Sequence, residues 1–180
     1  GCLVGSEMCI RDRPNIKSKI LSYLSFNSLV KISSTKYGFC KIQNLGWCPS
    51  SDLSKISEKK LNIVTLARQF LNTPYYWGGR DSYGIDCSGL IQNIMQMNNI
   101  DFPRDTDMQE DFCTRSLLRK NLKAGDLVYW KGHVALMTEK KKIIHATAYH
   151  MKTQEESLVT AETRIFKTNG KVRKYARIIS

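Results

Sequence analysis

Histidine is scarce, with three in 180 residues, and acidic side chains fall short of basic ones, 16 Asp and Glu against 28 Lys and Arg. The six cysteines include no Cys-x-x-Cys pair, and no His-x-x-x-His occurs. His145 and His150 are five apart, a spacing that puts them on neither one helix face nor one strand face. A zinc site of the usual ligand spacing is thereby disfavoured, and no metal is expected. No secretory h-region and no apolar run of membrane-spanning length is present, so stable membrane insertion is not expected of these residues. The shortage of acid leaves a formal net charge of +12, which suggests an anionic partner such as a cell-wall polymer, a phosphate-rich membrane surface or nucleic acid. The basic residues are scattered as well as clustered, as in Lys140-Lys141-Lys142, and lack the aromatic interleaving of a nucleic-acid reader. Nucleic acid is therefore not expected.

What is present is a candidate nucleophile in a favourable setting. Gly84-Ile85-Asp86-Cys87-Ser88-Gly89-Leu90 opens an apolar-periodic segment, Leu90, Ile91, Ile94 and Met95, which predicts a helix with Cys87 in its first turn. A thiol attacks only as a thiolate, and a helix N-terminus with a neighbouring imidazole lowers its pKa. On this basis Cys87 is expected to titrate nearer neutrality than Cys40, Cys48 or Cys113. Two histidines lie on short β-like runs, Gly132-His133-Val134-Ala135 and Ile144-His145-Ala146. A cysteine on a helix start and a histidine on a strand is the layout of papain-like folds. Taken singly, each residue has a plainer reading. A lone cysteine in an apolar helix is usually a small buried hydrophobe, but Asp86 and Ser88 mark a helix entrance. His133 or His145 alone would be a structural histidine, His150 is the weakest candidate, and Tyr76 and Trp77 read as ordinary packing before a turn.

The same residues belong to a longer pattern. Thr73-Pro74-Tyr75-Tyr76-Trp77-Gly78-Gly79, Gly84 to Leu90, Pro103-Arg104-Asp105-Thr106-Asp107-Met108-Gln109, Lys123-Ala124-Gly125-Asp126-Leu127, Gly132-His133-Val134-Ala135 and His145-Ala146 occur in that order. Together they resemble the NlpC family of peptidoglycan cysteine peptidases over about the C-terminal two-thirds of the chain. The resemblance implies Cys87 as nucleophile, His133 as base and His145 as the residue that orients the base. Tyr75, with the backbone N–H of Cys87, is implied as an oxyanion donor, and Asp86, Ser88 and Thr106 as substrate-binding residues. Asp86 would clamp a free substrate amine, which would also offset the cost of a carboxylate beside a thiolate. The implied substrate is peptidoglycan or a free murein stem peptide, cut between γ-D-glutamate and a diamino acid through a thioester, with no cofactor. Two alternatives stay open: a Cys-His-His acyltransferase or amidase on a lipid or small amide, and a wall-binding module attached to an inactive peptidase.

The fold class expected is α+β, a papain-like core with the nucleophile helix packed on an antiparallel sheet, preceded by a small, truncated SH3-like β-barrel. Residues 1–13 resemble a translated sequencing adapter from Leu3 onward and are set aside as non-native, so the true start is taken to be lost. Residues 14–53 carry short β-like runs ending in a hairpin about Asn44-Leu45 with Gly46-Trp47, which resembles the closing hairpin of a bacterial SH3-like module. That turn would set Cys40 and Cys48 diagonally across the hairpin. Residues 54–180 form the peptidase domain: a helix capped by Ser57 and running to about Asn72, the Cys87 helix, a polar loop at Pro103 to Gln109, then strands at Asp126–Trp130, His133–Thr138, Lys142–Ala146 and Val172–Ile179. Glu155–Gly170 reads as a strand or turn followed by a short helix. The compartment stays open between the cell envelope or periplasm and the cytoplasm, where murein peptides are recycled.

Overall fold

The computed structural model describes residues 2–4, 8–55 and 62–178. The chain divides into two compact units, 1–60 and 61–180, where the sequence had suggested a division after residue 53. Among the described residues no helix is long and apolar enough to cross a membrane.

The first unit is built of antiparallel strands. One sheet has the order Ile20–Leu24, Met8–Arg11, Gly46–Pro49, Phe39–Ile42, Ile32–Lys36, and a second holds Leu29–Val30, Cys2–Val4 and Leu53–Lys55. Met8, Ile10, Val30, Ile42 and Cys48 form its core. Met8 and Ile10 lie in the segment set aside above, yet they are 2% and 0% exposed, on a strand with partners on both sides. The hairpin of Phe39–Ile42 and Gly46–Pro49 turns at Asn44, which takes a left-handed φ of 63°. Cys40 and Cys48 stand directly opposite one another, not diagonally, because the loop between the strands holds the odd number of residues Gln43, Asn44 and Leu45. Both are thiols, with the Cys48 Sγ 3.7 Å from the Cys40 carbonyl oxygen.

The second unit carries helices α1 (Ile63–Arg68), α2 (Cys87–Met97), α3 (Thr106–Phe112) and α4 (Leu158–Asn169). Its antiparallel sheet comprises β1 (Leu127–Trp130), β2 (His133–Glu139), β3 (Lys142–Thr147), β4 (Lys152–Ser157) and β5 (Lys174–Ala176), in the order β4-β3-β2-β1-β5. Helix α1 is shorter than the sequence suggested, and the Ser57 cap lies outside the described residues. Asn62 does the capping, its Oδ1 accepting from the backbone N–H of Val64 and Thr65 at 3.0 Å each. Residues 106–112, expected as loop, are helical because Gln109 is buried and ties the segment down: its Nε2 donates to the carbonyls of Ser88 at 2.9 Å and Pro103 at 2.8 Å. Residues 155–170 resolve into the end of β4 and the 12-residue α4. The last strand is Lys174–Ala176, shorter than the expected Val172–Ile179, of which Ile179 lies outside the described residues.

Helix α2 is the centre of this unit. Leu90, Ile91, Ile94 and Met95 are all 0% exposed, and the helix packs on β2 and β3. The opposite face of the sheet, Val128, Trp130, Ala135, Met137 and Ile143, packs on Leu158, Ala161 and Ile165 of α4. The start of α2 is fixed by close approach of backbone: a Cβ on Gly89 would lie 2.5 Å from the Gly79 carbonyl oxygen and 3.0 Å from the Asp86 Oδ1. Gly89→Ala is expected to cost about 1–3 kcal/mol through overpacking. Urea unfolding of the two proteins measures it, and unchanged stability would mean that the loop carrying Gly79 yields freely.

Candidate active site

Asp86 ends an extended stretch at φ −100° and caps α2, so Cys87 is the first helical residue. The Asp86 Oδ1 accepts from the Gly89 N–H at 2.7 Å, and its Oδ2 from the Gly78 N–H at 2.8 Å. Arg104 reaches the same carboxylate in bidentate fashion, Nη1 to Oδ1 at 3.0 Å and Nη2 to Oδ2 at 2.6 Å, and its Nη1 also donates to the Ser88 Oγ at 2.8 Å. The negative charge beside the thiol is therefore answered inside the protein, without the substrate amine that sequence reasoning invoked. Cys87 is buried, 7% exposed, with its Sγ 3.9 Å from the Thr106 Oγ1. Burial pushes the thiol above its ordinary pKa, and the Asp86 charge adds to this, while the backbone N–H groups of Val134 and Ser88 and the Thr106 hydroxyl pull it back. The low pKa expected of Cys87 is thus corrected in direction: desolvation exceeds the help of the helix start.

The two histidines are brought together by sheet register. His133 begins β2 after the two-residue turn Lys131-Gly132, where Gly132 takes φ 69°, and His145 lies on the neighbouring β3. The His133 Nε2 is 2.8 Å from the His145 Nδ1, and the His145 Nε2 is 2.7 Å from the Glu156 Oε1. Glu156 also pairs with Arg164 of α4. Burial pushes His133 down to about 3, with His145 and Arg164 adding to the shift. His145 is likewise lowered by burial, against the pull of Glu156. Glu156 falls to about 2: its hydrogen bonds to His145 and Arg164 outweigh the burial that opposes them. His150 stands apart, its Nε2 3.9 Å from the same carboxylate.

A cavity of about 630 Å³ opens over the sulfur, and its lining includes Tyr75, Asp86, Cys87, Ser88, Thr106 and Gly132. Burial, the thiol and Asp86 raise Tyr75 to about 12, so its hydroxyl keeps its proton and can donate. Trp77 lines this cavity at 81% exposure and Tyr76 is 67% exposed, so neither is the packed aromatic that the sequence suggested. The tight turn over Gly78, φ 80°, turns them outward. Arg104, Glu156 and Arg164 escaped sequence reasoning. For Glu156 a signal existed, since a carboxylate in a β-like run beside the orienting histidine's strand invites a pairing, but only the register identifies it.

Comparison with known proteins follows the same residues. The model of the NlpC/P60 family matches residues 72–168, more than half of the chain. A dipeptidyl-peptidase 6 of Lysinibacillus sphaericus is 36% identical over 86 residues, 48% of this chain and 32% of the relative. A gamma-D-glutamyl-L-lysine dipeptidyl-peptidase of Bacillus subtilis is 29% identical over 137 residues, 68% of this chain and 46% of the relative. The chain thus spans a third to a half of the length of these curated relatives. The crystal structure of an NlpC/P60 family protein from Bacillus cereus shares the fold, with a TM-score of 0.83 at 22% identity over 99% of this chain and 63% of that one.

His145, buried, and His133, partly buried, make stability depend on pH. His133 has its pKa lowered from 6.5 to about 3 on folding, so the unfolded chain takes up a proton first as pH falls below 6.5. Stability is full above that value and falls by about 1.4 kcal/mol per pH unit for each such histidine as acid is added. Urea titrations at pH 7.5, 5.5 and 4.5 should show this fall, and a shallower one in His133→Gln. Equal slopes in the two proteins would show that His133 is not held neutral.

Proposed function

The chain belongs to the NlpC/P60 family, and from that premise we propose that it is a peptidoglycan-peptide hydrolase acting by acyl transfer through Cys87. The observation that carries the reading is the pairing of two elements: a buried cysteine at the first position of α2, and a hydrogen-bonded histidine pair that begins on β2, a strand on which α2 packs. His133 uses its Nε2 toward His145, so Nδ1 is the nitrogen that serves as base when Nε2 donates. In the proposed reaction Nδ1 takes the thiol proton as Cys87 attacks a peptide carbonyl. The Tyr75 hydroxyl and the Cys87 N–H receive the developing oxyanion. The imidazolium then protonates the leaving amine, and water, deprotonated by the same nitrogen, hydrolyses the thioester. His145 holds the His133 ring in the productive tautomer.

The names of the relatives support a γ-D-glutamyl–diamino acid bond as the one cut, and residues 8–55, small and built of antiparallel strands, support an SH3-like module ahead of the enzyme. Asp86, Ser88 and Thr106 line the cavity and are assigned to the substrate's amino end, Asp86 acting while paired to Arg104. The charged lining, with Asp105, Asp107, Lys131 and Arg173, disfavours an acyl chain and so a lipid substrate.

Purified L-Ala-γ-D-Glu-diamino acid peptides, their N-acetylated twins and intact sacculi, each incubated with the protein and weighed by mass spectrometry, test the reading. The result expected is cleavage after γ-D-glutamate that is abolished in Cys87→Ala and reduced about 10²–10³-fold in kcat in Tyr75→Phe. Preference for the free amine would support the assignment of Asp86, and equal rates would remove it. Activity retained by Cys87→Ala would overturn the mechanism as a whole.

A further inference from the structure

The carboxylate behind the histidine pair has no part in the reaction as written, yet it terminates the hydrogen-bond chain. Strand β4 pairs with β3 so that Gln154 lies opposite His145 and Glu156 opposite Ile143. Side chains alternate along a strand, so Glu156 shares a face with His145 and sits diagonally from it, within reach across the sheet. That face is the one covered by α4, and α4 supplies Arg164 to the outer side of the carboxylate. Arg164 is itself held over the Tyr149 ring, 4.3 Å from its centroid. The groups facing this carboxylate are thus His145 from β3, His150 from the following turn and Arg164 from α4.

We propose that Glu156, anchored by Arg164, is a positioning residue that sets the direction of the hydrogen bonds running through His145 to His133. The argument is one of donors and acceptors. Two neutral imidazoles facing each other at 2.8 Å can share their proton in either of two directions, and nothing in the pair itself distinguishes them. An ionised carboxylate only accepts. The 2.7 Å contact to the Glu156 Oε1 therefore requires the proton of His145 to be on Nε2, which leaves His145 Nδ1 as an acceptor. His133 must then donate from its Nε2, and its Nδ1 carries the bare lone pair. Reverse either bond and His133 would present an N–H where a base is needed. When Nδ1 becomes protonated, the anion two links away also favours the imidazolium, and Arg164 keeps the carboxylate from taking the proton itself.

The inference rests on the proposed role of His133, so its test separates the two. The long-range ¹⁵N–¹H spectrum of the full chain, without substrate, reads the tautomers directly. The expected spectrum shows His145 and His133 both protonated on Nε2. In Glu156→Gln, whose amide can donate or accept, both rings should become mixtures of tautomers while the backbone spectrum stays that of a folded protein. In peptide hydrolysis the same variant should lose about ten- to a hundredfold in kcat with KM little changed, a part of the 10²–10⁴-fold that a positioned base contributes. A wild-type His145 protonated on Nδ1 overturns the proposal without any variant. Unchanged tautomers and kcat in a folded Glu156→Gln protein overturn it too. Activity surviving in Cys87→Ala would sink the catalytic reading instead and leave the tautomer result standing.

Discussion

The carboxylate of Asp86 holds the reactive end of this unit together. It caps α2 through the Gly89 N–H, pins the Trp77-Gly78-Gly79 turn through the Gly78 N–H, and takes both arms of the Arg104 guanidinium from the segment leading into α3. Three stretches of chain are thereby joined at one buried group beside the sulfur. A charge this buried is tolerable only when fully paired, and stripping one partner from such a pair typically costs about 3–5 kcal/mol. The pairing also resolves an electrostatic conflict. A cap that favours the helix start would by its charge oppose a thiolate one residue away, and Arg104 answers that charge where it stands.

The antiparallel sheet acts as a ruler for the other half of the site. Strands β2, β3 and β4 carry His133, His145 and Glu156, and the contacts of 2.8 Å and 2.7 Å follow from register and alternation alone. Burial then gives the chain of hydrogen bonds its chemistry. Burial lowers both histidines and raises the thiol, while hydrogen bonds to His145 and Arg164 hold Glu156 low.

Charge on the second unit is organised more finely than a net value of +12 conveys. Arg68 pairs with Glu155, Arg119 with Glu162, Arg177 with Asp126 and Arg164 with Glu156. The cavity itself mixes Asp86, Asp105 and Asp107 with Arg104, Lys131 and Arg173. A lining of both signs suits the zwitterionic peptide proposed above better than a uniform polyanion.

Local signals in the sequence were enough for the start of α2, since an Asp cap followed by apolar residues at helical spacing needs no distant partner to be read. The order of helices before strands, and the break between strands at Trp130 and His133, were legible for the same reason. The segment at residues 106–112 was not, because its helix depends on the burial of Gln109 against the carbonyls of Ser88 and Pro103. The register of Cys40 with Cys48 and the exposure of Trp77 depended on how the chain turned at Asn44 and Gly78. Residue type and spacing alone determined the candidates for reaction proposed above: one cysteine at a helix start and two histidines on strands. Tertiary structure alone decided the direction of their pKa shifts and their partners, Arg104 for Asp86 and Glu156 for His145. Desolvation and strand register are properties of residues distant in the chain, and no local pattern encodes them.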